Sequence, residues 1–107
     1  MIRATFSRRP DGTCTGFTLT GHAGSGEYGK DIVCAAVSAL AIHTANAIER
    51  YTKTPVKSEA RSGYLKLRFR EAPDEKADLL VRAFAESLRE LQTEYGSEYL
   101  TIADEEV

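Results

Sequence analysis

The chain has 107 residues and a net charge of −2, from 14 Lys and Arg against 16 Asp and Glu, with a pI near 5.7. This length predicts a single domain over residues 1–107, and it is too short for the repeated strand-helix-strand units of a P-loop nucleotidase. The charge balance argues against direct nucleic-acid binding. The basic clusters at residues 8–9 and 66–70 are therefore interpreted as solvated strand faces.

The two cysteines and the polar N-terminus indicate the compartment in which the protein works. The first ten residues, MIRATFSRRP, are too polar for a signal peptide or a membrane span. Two unpaired thiols without a secretory signal are typical of a reducing environment. We therefore expect a cytoplasmic protein without a membrane partner.

The first twenty-two residues predict a β-hairpin. Residues 1–7 alternate in the manner of a strand, and Pro-Asp-Gly at residues 10–12 is a turn signal. The second strand, residues 14–22, places His22 at its end and on its polar side, because side chains alternate along a strand.

A loop over residues 23–30, rich in glycine, separates this hairpin from a helix. Asp31 is a favourable N-cap, and apolar residues recur with helical spacing from Ile32 onward. The helix is expected to end just before Pro55, since the residue before a proline is pushed out of the helical region.

The second half of the chain predicts a second hairpin, a second helix and a last short strand. The hairpin strands are residues 56–60 and 64–70, and an acidic helix start at residues 73–75 is followed by apolar positions that include Leu79 and Phe84. Residues 99–102 form the last strand. The order β-β-α-β-β-α-β predicts the α+β class, with an antiparallel or mixed sheet of about five strands and both helices packed on it.

One stretch of the loop resembles a phosphate cradle. Residues 24–30 read GSGEYGK, which fits the first seven positions of G-x-x-x-x-G-K-[ST]. The eighth position is Asp31, where a hydroxyl is needed for magnesium and where a carboxylate repels phosphate. Phosphate binding is kept as a weaker hypothesis, in which Lys30 matters and Cys34 does not.

Two cysteines and two histidines allow four pairs, and helix and strand geometry separates them. Cys34 and His43 share one helix but point about 180° apart, roughly 13 Å along its axis. Cys14 and His22 share one strand face but lie roughly 27 Å apart. Cys14 with His43 is not excluded, although neither adjoins a loop that could receive a substrate. Cys34 with His22 is the best pair.

Cys34 also falls in the first turn of the predicted helix. The free N–H groups and positive dipole end there favour a thiolate and could receive an oxyanion. Asp31 disfavours the thiolate, so we expect it to cap the helix or to orient His22, and Ser38 stands one turn later on nearly the same side. The alternative is a small buried structural cysteine.

The run GHAGSGEYGKDIVCAAVSAL, from Gly21 to Leu40, is similar to the motif of the ribosomal-processing cysteine protease family, Prp. The shared features are a G-H-A strand end, a glycine-containing loop and a helix start of the form D-I-V-C-A-A-V-S. The resemblance implies that Cys34 is the nucleophile and His22 the general base. It implies supporting roles for Asp31 and Ser38.

The same resemblance implies the activity and the partners. The protein would be a cytoplasmic, homodimeric endopeptidase that removes the short N-terminal extension of a large-subunit ribosomal protein, number twenty-seven, beside an aromatic pair. Residues 23–30, with Gly24, Gly26 and Gly29, would form a loop over the bound peptide. No metal and no organic cofactor are implied. The alternative is a non-catalytic, ribosome-associated module that holds a peptide in the same groove.

Overall fold

The computed structural model describes residues 1–22 and 31–107, so the predicted substrate loop with Gly24, Gly26 and Gly29 lies outside the described residues. The elements, in chain order, are β1 (Ile2–Arg8), β2 (Cys14–Thr20), α1 (Ile32–Tyr51), β3 (Val56–Arg61), β4 (Tyr64–Phe69), α2 (Glu75–Tyr95) and β5 (Leu100–Glu106). The predicted order and the α+β class are confirmed.

The five strands form one mixed sheet in the order β3-β4-β2-β1-β5. The β1–β2, β2–β4 and β3–β4 pairs are antiparallel, whereas β5 lies parallel to β1. α2 is the crossover that carries the chain from β4 to the far edge of the sheet. β5 is longer than the strand predicted from residues 99–102, because its whole length pairs with β1.

Three aromatic rings join the sheet to α2. Phe6 of β1 and Phe17 of β2 are buried, and each packs against Phe84 of α2, with ring centroids 6.0 and 4.9 Å apart. Their tilted and edge-on arrangements are those that aromatic pairs prefer, and each contributes about 0.5–1.5 kcal/mol beyond its buried area. This cluster fixes α2 on one face of the sheet.

A β-bulge corrects the predicted position of Cys14. Ser7 pairs with Gly16 but Arg8 pairs with Cys14, so Thr15 is an extra residue in β2. The shift brings Cys14 into the core, where it is 1% exposed. The expectation that Cys14 shares a strand face with His22 is wrong for this reason, and β2 ends at Thr20, two residues before His22.

The apolar character of α1 comes from its place in the core. By length and composition alone the helix is apolar enough to cross a membrane, which is weak evidence because a core helix passes the same test. One side of it is packed in the domain core. Its buried residues are Val33, Val37, Ala41, Thr44, Ala47 and Ile48.

The apolar residues of α2 divide between a buried and an exposed side of the helix. Leu79 is 62% exposed, whereas Val81 and Phe84 are buried. Several apolar residues of this helix compete for the packed side, and only contact with the sheet decides among them. The helix starts at the predicted acidic residues. Asp74 caps the start by accepting from the Ala77 N–H at 2.8 Å, and Gly96 ends the helix with a φ of +108°.

This difference in burial predicts that alanine lowers the free energy of unfolding strongly at one of these positions and hardly at the other. Phe84→Ala should lower the free energy of unfolding by about 3–5 kcal/mol, because it empties a ring-lined site. Leu79→Ala, in the same helix, should change it by no more than about 0.5 kcal/mol. Urea unfolding followed by circular dichroism measures both. Equal losses would contradict the observed phase of α2.

Candidate active site

The start of α1 presents the Cys34 thiol. Asp31 caps the helix, since its carboxylate accepts from the Cys34 N–H at 2.9 Å, and its carbonyl accepts from the Ala35 N–H at 3.0 Å. Cys34 is half-buried. Because its own N–H is engaged by Asp31, that group is not open to an oxyanion in this arrangement, and the expected capping role of Asp31 is the one observed.

Main-chain contacts hold His22 beside the sheet. The Gly21 N–H donates to the Gly63 carbonyl at 2.8 Å, and the main-chain nitrogen of Met1 donates to the His22 carbonyl. Gly21 has a φ of +90°, and a Cβ there would lie 2.3 Å from the Met1 carbonyl oxygen. Glycine is therefore required before His22, and the backbone of His22 is fixed from two sides.

The turn between β3 and β4 fixes the imidazole itself. Gly63, with a φ of +70°, lies against the His22 ring, and a Cβ at Gly63 would stand 2.9 Å from Nε2. The bare α-carbon of this glycine leaves room for the ring. Sequence reasoning treated residues 61–63 only as a turn, and no sequence signal identifies Gly63 as a neighbour of His22.

These contacts bring the thiol and the imidazole together. Cys34 Sγ lies 3.7 Å from His22 Nδ1, although the two residues are twelve apart in sequence. In the tautomer that leaves Nδ1 unprotonated, this nitrogen can accept the thiol proton. Such bonds are often long before substrate binds and shorten in the complex.

The pair lies at a cleft of about 160 Å³ between α1 and the β3–β4 turn. Ser38 also lines it, as does Tyr64, whose ring lies 3.9 Å below the Arg61 guanidinium carbon. The apolar part of the lining comes from Ile2, Leu19, Val37, Ala41, Ile42 and Leu65. An apolar cleft with a few polar groups at one end is typical of a site that binds a side chain of a peptide.

The other cysteine and histidine lie elsewhere. Cys14 is in the core, its thiol donates to the Gly16 carbonyl at 3.4 Å, and burial raises its pKa, which keeps it protonated. His43 is exposed on α1 and does not line the cleft. Of the four pairs considered from the sequence, the structure brings together Cys34 and His22.

The geometry also bears on a metal site and on the phosphate cradle considered from the sequence. Within residues 1–22 and 31–107, no three His, Cys, Asp or Glu side chains are grouped to hold a metal ion. The cradle predicted at residues 24–30 lies outside the described residues, but the helix end that it would serve is occupied by the Asp31 carboxylate. A carboxylate at that position repels a phosphate.

An accessible thiol beside an imidazole, on an α+β domain, is the arrangement of a thiol-dependent hydrolase. The family model for the cysteine protease Prp matches residues 1–100. The chain is 31% identical over 98 residues to the ribosomal processing cysteine protease Prp of Staphylococcus aureus, covering 90% of this chain and 92% of that one. It is 33% identical over 101 residues to the Bacillus subtilis protein of the same name, covering 89% and 90%.

A solved structure of a family member has the same fold as this chain. The S. aureus ribosomal processing protease Prp, in complex with a covalently linked product peptide, superposes with a TM-score of 0.91 at 29% identity, covering 98% of this chain and all of that one. The chain belongs to the cysteine protease Prp family, and it is a cysteine-type peptidase.

The contact between Gly63 and the imidazole predicts a kinetic effect. Gly63→Ala should lower kcat for peptide hydrolysis on the order of 100-fold with little change in KM, because the new methyl group displaces the ring from Cys34. Steady-state kinetics measures this, and the His22 ring signals in proton NMR should shift.

Gly12→Ala is the matched control, since Gly12 also has a positive φ, of +90°, but a Cβ there meets nothing within 4 Å. Backbone strain is then common to both variants. Equal losses of kcat, or unchanged His22 signals in Gly63→Ala, would show that the ring contact is unimportant.

Proposed function

We propose that this protein is an endopeptidase in which Cys34 is the nucleophile and His22 the general base. The observation that carries the proposal is the distance of 3.7 Å between Cys34 Sγ and His22 Nδ1 at the end of an apolar cleft. The pairing is supported by the exposure of His22 and the half-burial of Cys34, which leave both groups open to a substrate.

The reaction is an acyl transfer in two halves. His22 Nδ1 takes the thiol proton, and Cys34 Sγ attacks the scissile carbonyl carbon, whose oxygen takes the electron pair. When the carbon–nitrogen bond breaks, the imidazolium gives its proton to the leaving amine. His22 then takes a proton from water, the resulting hydroxide attacks the thioester, and the proton returns to the sulfur as the acid product leaves.

Asp31 and Ser38 support this pair in different ways. Asp31 acts as a positioning residue, because its bond to the Cys34 N–H sets the first turn of α1 and hence the direction of the thiol. The Ser38 hydroxyl lies one turn later at the cleft, where it can bond to a substrate amide or to the attacking water. The oxyanion requires donors other than the engaged Cys34 N–H.

The substrate that we propose is the N-terminal extension of the large-subunit ribosomal protein numbered twenty-seven, cut beside an aromatic pair. The names of the S. aureus and B. subtilis relatives, both ribosomal processing proteases, support a ribosomal protein as substrate. The apolar lining of the cleft supports an apolar side chain next to the cut bond. We also place the enzyme in the cytoplasm, on the basis of its free cysteines.

Peptide cleavage tests the proposed pair. Wild type should cut a peptide that spans the extension, as followed by mass spectrometry. Cys34→Ala should lower kcat on the order of 10⁴-fold or more, and His22→Ala about 10²–10⁴-fold, because one removes the nucleophile and the other the base.

Cys14→Ala and His43→Ala are the matched controls, since neither residue lines the cleft, and both should retain activity. Cleavage that survives Cys34→Ala would exclude the thiol mechanism. A wild-type protein that binds the peptide without cutting it would instead favour the non-catalytic peptide-binding module.

The family resemblance further leads us to propose a homodimer. Light scattering at micromolar concentration should give twice the chain mass of 11.8 kDa. A single-chain mass under these conditions would exclude a stable dimer and would leave the peptidase proposal intact.

A further inference from the structure

The sheet has one face that neither helix covers. In β4, Leu67 and Phe69 are buried, whereas the alternate residues Lys66 and Arg68 are exposed, so these cations point away from the core. The registers with β3 and β2 place other outward residues beside them. We call this outward side of the sheet the basic face.

Charge is distributed unevenly between the basic face and the rest of the molecule. Whole-chain charge is slightly negative, with 14 cationic residues against 16 carboxylates. The described carboxylates on or beside the basic face are Glu59, which lies directly opposite Lys66, Glu105, and Asp11 near Arg9. Its described cations are Arg3, Arg9, Lys57, Arg61, Lys66, Arg68 and Arg70. The basic face is therefore positive, and the remaining surface carries most of the negative charge.

Four cations of the basic face surround a concavity of about 490 Å³. Arg9, Lys66, Arg68 and Arg70 line it, together with the hydroxyl-bearing Thr15 and Thr18. Guanidinium groups bind phosphate oxygens through two parallel hydrogen bonds, and hydroxyls donate to the same oxygens. This set of groups suits a chain of phosphates.

The arrangement of these cations also has a cost in stability. Lys57 lies directly opposite Arg68 in the β3–β4 register, and like charges in such positions repel, whereas the next outward pair, Glu59 with Lys66, has opposite charges. Among the described residues, the ion pairs are Arg8 with Asp104 and Arg82 with Asp78, and neither involves a cation of the basic face. An anionic partner would relieve this repulsion.

We propose that the basic face binds single-stranded RNA. The row of cations consists of Lys66 and Arg68 in β4 and Arg70 directly after it. They occur at every second residue, roughly 6.8 Å apart, and this even spacing suits an RNA backbone with one phosphate charge per nucleotide. At the end of this row, the exposed Arg61 guanidinium lies 3.9 Å over the Tyr64 ring, and a base can stack on its outer plane. An acidic peptide could match this charge spacing but lacks the stacking bases.

The proposal departs from the expectation, drawn from the whole-chain charge of −2, that the protein does not bind nucleic acid and that residues 66–70 are only a solvated face. Charges separated by more than about 8–10 Å are largely screened at physiological salt, so a phosphate responds to the face that it touches. The proposal does not depend on the peptidase mechanism. Because Tyr64 and Arg61 also line the cleft, RNA on the basic face would place the Cys34–His22 pair next to a ribonucleoprotein.

Fluorescence anisotropy with a labelled oligo(U) of about twelve nucleotides tests the proposal, at salt concentrations of about 0.05–0.2 M. The triple variant Lys66→Gln, Arg68→Gln, Arg70→Gln should bind on the order of 100-fold more weakly at about 0.1 M salt. The slope of its log binding constant against log salt concentration should be smaller in magnitude by about 2. Its cleavage of a peptide substrate should be unchanged.

The matched control is Lys76→Gln, Arg82→Gln, Arg89→Gln on the exposed side of α2, which removes the same charge. It should bind as the wild type does, and thermal unfolding should show both variants folded. No binding by the wild type at the lowest salt, or equal loss in the control, would overturn the proposal. Displacement of the RNA by an equal charge of oligoglutamate would also overturn it, in favour of an acidic protein.

Discussion

The hydrogen bond from the Gly21 N–H to the Gly63 carbonyl, 2.8 Å long, is the contact on which the site depends. It ties the end of β2 to the β3–β4 turn, and so it brings a histidine from one hairpin and a glycine from the other to the start of α1. Through this bond Gly63 is held against the Nε2 edge of the His22 ring. Two glycines thus orient the imidazole by allowing backbones to approach where side chains would collide.

The thiol is positioned by different forces. Burial of Val33 and Val37 in the core sets the rotation of α1, and the Asp31 cap sets where the helix begins. Between these two buried valines, Cys34 lies at the edge of the packed side, half-buried and at the cleft. The position of Cys34 is therefore a consequence of core packing, and a side chain carried by a helix is held precisely.

Local sequence signals were sufficient for the element order, the cap at Asp31, the acidic start of α2 and the Cys34–His22 pairing, because turns, caps and helical spacing are determined by neighbouring residues. Three features escaped them. The bulge at Thr15 depends on strand register, and the exposure of Leu79 depends on which side of α2 meets the sheet. The contact of Gly63 with His22 joins residues forty-one apart, which no local pattern encodes.

The bulge at Thr15 has a consequence for oxidation. By turning Cys14 into the core, it separates the two thiols of the chain into one that is sealed and protonated and one that lies at a cleft. Cys14 is sealed in the core, so an oxidant in solution does not reach its sulfur while the chain is folded. An oxidant that reaches the folded chain therefore meets Cys34 first, and the product is a mixed disulfide or a sulfenic acid that a cellular thiol can reverse.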